Sequence, residues 1–207
     1  MNISFDWFTD LWHRQPGAIF TFVGILVPLF IFILLRRERM LQRRRAYVDL
    51  EFEASRLFRV CIDHPDIMQY LDAHSETLGA EAREKAYWHV CQVLNIFEVI
   101  ISFYEEKTVT ADLFSTWVSW FHELGTATRF GEFWEQERLR FHYKSHLQKI
   151  MDAAQRLYSA RSPDFQQDNT QYDRELLEFH RQVADILRDN SILEHFTESL
   201  ELDKMAS

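Results

Sequence analysis

Residues 18–45 read AIFTFVGILVPLFIFILLRRERMLQRRR, eighteen uncharged and mostly apolar residues that run straight into a block of six arginines. As a helix the apolar part rises roughly 27 Å, close to the roughly 30 Å hydrocarbon thickness of a bilayer. A helix buried in a soluble core would share that apolarity, but would have no reason to end in Arg36, Arg37, Arg39, Arg43, Arg44 and Arg45, with Glu38 the lone acid among them. The stretch therefore predicts a single transmembrane helix over 18–35 and a basic juxtamembrane segment over 36–45. Before it, Asp6, Asp10 and Arg14 are the only Asp, Glu, Lys or Arg. Arginine accumulates on the cytosolic side of membrane helices, so residues 1–17 are expected to form a short extracytoplasmic tail and the chain beyond Arg45 to lie in the cytosol. Trp7, Phe8 and Trp12 fall where an interfacial aromatic belt sits. A cleaved signal peptide carries its positive charge before the apolar run and small residues after it, and both are reversed here.

Each arginine held near an anionic leaflet contributes about 1 kcal/mol of attraction, so the cluster doubles as a clamp on an anionic lipid surface. Pro28 removes one hydrogen bond from the middle of the span. Gly24 lies four residues before it on the same face, a small-residue pairing that allows self-association of the helix, and hence a homo-oligomer.

Past the arginines the charge inverts. Of the 23 basic and 32 acidic residues in the chain, seven and three precede Ala46, so residues 46–207 hold 16 against 29, a balance of −13. Such a field repels phosphate backbones and argues against nucleic acid as a partner. Five glycines and four prolines leave little room for the turns of sandwiches and barrels. The expected fold is all-α: the anchor followed by a cytosolic bundle of about five to seven helices.

The apolar spacing places the helices. Tyr47, Leu50, Ala54, Leu57, Phe58 and Cys61 continue the anchor helix until Pro65 stops it, and Ile67, Met68, Tyr70 and Leu71 form a short helix after Pro65. From Ala80 to Lys107 the chain is apolar on most sides, which suits the middle of a bundle. His89, Gln92, Asn95, Glu98 and Ser102 interrupt it too often for a second membrane span. Thr110 is placed to cap a helix burying Leu113, Trp117, Trp120, Phe121 and Leu124, with Gly125 placed to end it in a left-handed turn. One long helix is expected over 132–160, completing a bundle over 46–160. SARSPDFQQDNTQ, residues 159–171, contains Pro163 and lacks periodicity, so 161–171 reads as a linker. The amphipathic helices over 172–202 form a second helical unit, with Ser191 and Glu194 offering a capping box.

Chemistry has few places to stand. No histidine in the soluble part has a glutamate three residues before it, so the ligand set of a di-iron bundle is absent. His142 and His146, four apart, are two potential metal ligands and not a site. Cys61 and Cys91 fall in apolar helical patterns and read as reduced core residues. No phosphate loop, nucleophile arrangement or redox cysteine pair is present, so neither an enzyme nor a cofactor is expected. The polar stripe Gln92, Asn95, Glu98 and Ser102 stands out, because Glu98 sits among Phe97, Val99, Ile100 and Ile101 and is costly to bury alone. Arg129, Arg138 and Arg140 are the candidate ion-pair partners, and the alternative role for the stripe is to line a ligand or partner groove.

The apolar anchor, the arginine-rich exit, NIFEVIISFYEEKTVTADLF (95–114), the Trp-rich helix and FWEQERLRFHYK (133–144) together resemble an uncharacterised bacterial family of single-pass inner-membrane proteins with a helical cytosolic domain of unknown function. The likeness covers about residues 18–155. It implies a bacterial inner-membrane location and brings no activity with it. The resulting expectation is a membrane-anchored, non-enzymatic adaptor or regulator whose acidic domain binds a protein partner, with the terminal helices as an adjustable docking element. The alternative is an oligomeric membrane effector in bacterial defence or stress signalling, with a ligand-responsive cytosolic domain.

Overall fold

A computed structural model describes residues 16–72, 79–136, 139–161 and 169–206. The aromatic belt Trp7, Phe8 and Trp12, the candidate Arg138 and residues 162–168 of the linker lie outside the described residues, as do the side chains of Arg39 and Arg43. The described residues are helical throughout, without strands. The chain divides into two compact units, residues 1–46 and 47–207.

The helix α1 (Pro16–Asp63) begins in the first unit and ends in the second. Pro28 lies inside it without ending it. Within the first unit every described side chain of the apolar run, from Val27 to Leu35, is exposed, as are Arg36, Arg37, Arg44 and Arg45.

In the second unit α1 buries one narrow strip, Leu50, Ala54 and Leu57, and stops at Asp63, two residues before Pro65. Proline disfavours the helical conformation in the residue before it, and His64 accordingly leaves it, with φ −129° and ψ 72°. Pro65 then opens α2 (Pro65–Leu71), whose Ile67, Tyr70 and Leu71 are buried. The next helix, α3 (Ala80–Glu105), is long and apolar enough to cross a membrane, but Ala86, Val90, Leu94, Phe97 and Ile100 are fully enclosed by protein. It is a core helix of the bundle.

The hub is its successor, α4 (Ala111–Gly125), which touches α3 and three later helices: α5 (Ser145–Ser159), α6 (Asn169–Leu187) and α7 (Ser191–Ala206). Aromatic side chains join α3 to α4. Phe97 meets Phe121 edge-on at 4.3 Å and Trp120 at 5.0 Å, and Tyr104 stacks on Phe114 at 4.3 Å. The fully buried rings Phe97, Phe114 and Phe121 each contribute about 1.5–3 kcal/mol through area alone and about 0.5–1.5 kcal/mol more through pairing geometry.

Four local expectations are corrected. The long helix over 132–160 is broken into a π-helical turn (Glu132–Gln136), a 3-10 turn (Leu139–His142) and α5. The cause is Asp152, which accepts from Nε1 of Trp134 at 2.8 Å and from Nη2 of Arg140 at 2.9 Å. In a straight helix eighteen residues would separate Trp134 from Asp152 by roughly 27 Å. Gly125 ends α4 without a left-handed turn. It is there because a Cβ at this position would collide with the Cβ of Ala154 on α5. Among the described residues the left-handed ones are Lys107 and Arg188, with φ of 58° and 56°, just beyond the ends of α3 and α6. Thr110 is the N-cap residue of α4 by position, without a side-chain bond to the helix backbone. Finally, Ser191 and Glu194 form no capping box. Asp189 takes that role, its Oδ1 accepting the Ser191 backbone N–H at 3.2 Å and the Ser191 hydroxyl at 2.6 Å.

The terminal helices are not a detached unit. Leu176, Phe179, Val183 and Ala184 of α6 and Ile192 and Phe196 of α7 are buried, and both helices pack on α4.

Candidate functional site

A cavity of about 940 Å³ opens within the second unit. Its walls come from elements far apart in sequence. The last turns of α1 supply Leu57, Phe58, Cys61 and Ile62; α2 supplies Met68 and Leu71; α3 supplies His89 and Val93; and α4 supplies Trp120, Glu123 and Leu124. Asp72, residues 126–128, Arg161 and Tyr172 complete the polar side. Phe58 stacks on Trp120 at 4.7 Å, giving the cavity an aromatic wall. It arises because α1 packs through the single strip above, leaving space on the flank of its final turns.

Two polar constellations border the space. On one wall Sγ of Cys61 lies 3.2 Å from Nε2 of His89. Burial pushes the thiol above and the imidazole below their ordinary pKa, so both are neutral near pH 7. Both shifts disfavour the thiolate that a reactive cysteine needs. Nδ1 of His89 has no hydrogen-bond partner among the described residues. On the other side, Glu175 accepts from Nε2 of the fully buried His122 at 2.7 Å, and Arg161 grips both its oxygens through Nε and Nη2 at 2.8–3.2 Å. Nη1 of Arg161 also donates to the carbonyl of Thr126 at 3.3 Å. Burial pushes the Glu175 carboxyl up, but hydrogen bonds from His122 and Arg161 outweigh it, leaving the group below its usual range. This knot ties α4 to α6 and to Arg161 beyond α5.

Glu123 differs from Glu175. It is solvent-accessible in the cavity and has no hydrogen bond or ion pair among the described residues, and the surrounding protein pushes its carboxyl up.

The predicted polar stripe does not converge on this cavity. Gln92 and Asn95 are exposed. Glu98 Oε1 accepts the backbone N–H of Lys144 at 2.6 Å, at the start of α5, and the Lys144 ammonium donates to the Ser102 hydroxyl at 3.1 Å. The partner of Glu98 is therefore a helix N-terminus, whose free N–H groups and dipole favour a carboxylate, and not an arginine. Arg140 pairs with Asp152; Arg129 lies 3.9 Å from Glu132 and over the ring of Tyr70 at 4.6 Å. His146 pairs with Glu105, and His142 lies on the separate 3-10 turn, so the two are no longer one helical turn apart. Among the described residues no group of three or more His, Cys, Asp or Glu could hold a metal ion.

Searches against protein-family models, curated proteins and solved structures find no match to this chain. The site therefore stands on its own residues. Sequence reading missed Cys61 with His89, and His122 with Glu175. The available signal was histidine at positions that face inward on apolar helices, where an imidazole is kept only if something satisfies it.

Proposed function

We propose that this protein is a membrane-anchored, non-enzymatic adaptor or regulator whose acidic helical domain binds a protein partner at the cytosolic face. The observation that carries the reading is the exposure of Val27–Leu35 on all sides of α1, followed by exposed Arg36, Arg37, Arg44 and Arg45. Lipid satisfies such a surface where water does not. The resemblance noted above adds a bacterial inner membrane. Exposed Phe52, at 71%, and Trp88 and Phe141, at 59% and 69%, are the large apolar side chains a protein partner would cover.

Protease added to intact spheroplasts and to inverted membrane vesicles tests the reading. Residues 47–207 resist in spheroplasts and are cut in inverted vesicles, and the protein stays in the pellet after alkaline carbonate extraction. Digestion in spheroplasts, or release by carbonate, overturns it.

A second reading, an oligomeric effector with a ligand-responsive domain, is favoured by one observation. The large cavity borders the last turns of α1, the helix that carries the apolar segment. Cross-linking in membranes that yields a discrete oligomer, weakened by Gly24→Leu, supports it; a monomer alone removes it.

A further inference from the structure

The cavity has the size and make-up of a small-molecule site: several hundred Å³, an aromatic and aliphatic lining, and a few polar groups on one side. Its charges define what fits. Three ionisable residues with full charges reach it: Asp72, Glu123 and Arg161. Arg161 is compensated by the bidentate contact with Glu175. Asp72 and Glu123 have no ion-pair partner among the described residues, so the polar side presents uncompensated negative charge. The balance of −13 over residues 46–207 deepens that potential. Trp120 lies three residues before Glu123 on the same face of α4, so the stacked pair Phe58 and Trp120 offers ring surface beside that carboxylate to an apolar body and a quadrupole to a cation.

We propose that this cavity binds an amphipathic organic cation, an amine carried on an aromatic or aliphatic body, with the ammonium on Glu123 and the body against Phe58 and Trp120. Glu123 carries no ion pair among the described residues, and an incoming ammonium supplies one inside a largely apolar cavity, where the charge-assisted bond is stronger than in open water. An anionic amphiphile of the same shape meets the same charges as repulsion. The ligand would fill the space on the flank of α1 and so join its final turns to α4. The inference goes beyond the anchoring reading and holds whichever side of a membrane the domain occupies.

The test uses the full chain in nanodiscs of zwitterionic phosphatidylcholine, with empty nanodiscs as the blank. Three water-soluble probes of matched shape, 4-phenylbutylamine, 4-phenylbutanol and 4-phenylbutyrate, are titrated by calorimetry. The amine binds about tenfold more tightly than the alcohol, and the acid most weakly. Glu123→Gln, a solvent-accessible change, brings the amine within about twofold of the alcohol. Cys61→Phe narrows the cavity and abolishes binding of amine and alcohol together. If that variant does not unfold cooperatively, Ile62→Trp, at an exposed position on the same wall, replaces it. Failure of all three probes to bind, equal affinities, or an amine preference that survives Glu123→Gln each overturns the proposal.

Discussion

Gly125 at the end of α4 lies so close to Ala154 on α5 that a methyl group cannot be added to it without moving one of the two helices. The same junction is tied by Nε2 of Gln155, which donates to the Gly125 carbonyl at 2.5 Å. Close approach, and not backbone conformation, sets the residue here.

Gly125→Ala therefore destabilises by about 1–3 kcal/mol, the usual cost of overfilling a packed contact. Gly79, where a Cβ would meet nothing within 4 Å, is the control. Gly79→Ala overfills nothing and costs at most about 1 kcal/mol, the preference of a helix N-cap for glycine over alanine. Urea unfolding of the two variants side by side checks both.

Arg188 is exposed and holds φ at 56°, a conformation that costs a residue with a Cβ about 1–2 kcal/mol. Its neighbour Asp189 closes α6 by donating its N–H to the Ala184 carbonyl at 3.0 Å, so the left-handed residue is part of the helix stop. Arg188→Gly raises stability by about 0.5–1 kcal/mol once the greater freedom of glycine in the unfolded chain is subtracted. A thermal scan showing a lower Tm rejects this account.

Breaking the knot on Glu175 has a larger cost. With only 8% of its side chain exposed, Glu175 is the shared acceptor of His122 and Arg161. Glu175→Gln removes the charge that holds both His122 and Arg161 in this buried knot and destabilises by about 3 kcal/mol. An effect below about 1 kcal/mol in denaturant unfolding would mean that solvent already screens the pair.

Asp189 makes the acid limb of stability measurable. Hydrogen bonds from Ser191 and Tyr104 lower its carboxyl from 3.8 to about 2. A depressed folded-state pKa gives stability that is present above the unfolded value and lost as pH falls, so the window lies between about pH 4 and pH 2. The side chain is 27% exposed, and solvent screening reduces the contribution to about 1 kcal/mol. Asp189→Asn flattens the dependence of stability on pH across that window, and a slope identical to that of the parent protein counts against it.

Glu98 shows how far local reading reaches. The cost of leaving it unpaired was evident from its apolar neighbours, and it is indeed only half exposed and paired. Its partner was not evident, because Lys144 lies 46 positions away and offers a backbone N–H that exists only once the chain breaks before α5.

Helical periodicity, the stop at Pro65 and the unbroken apolar run into arginine are properties of neighbouring residues, and the sequence determined them without help: an all-helical chain with α2, α3 and α4 where the spacing put them. Which helix forms the hub, why Gly125 is glycine, where the left-handed stops fall and how the chain folds back at Asp152 depend on surfaces meeting across tens of residues. The cavity is of the same kind. Cys61 and His89 are 28 positions apart and His122 and Glu175 are 53 apart. Their meeting follows from the packing angle of α1 and the docking of α6 on α4, which only the tertiary structure decides.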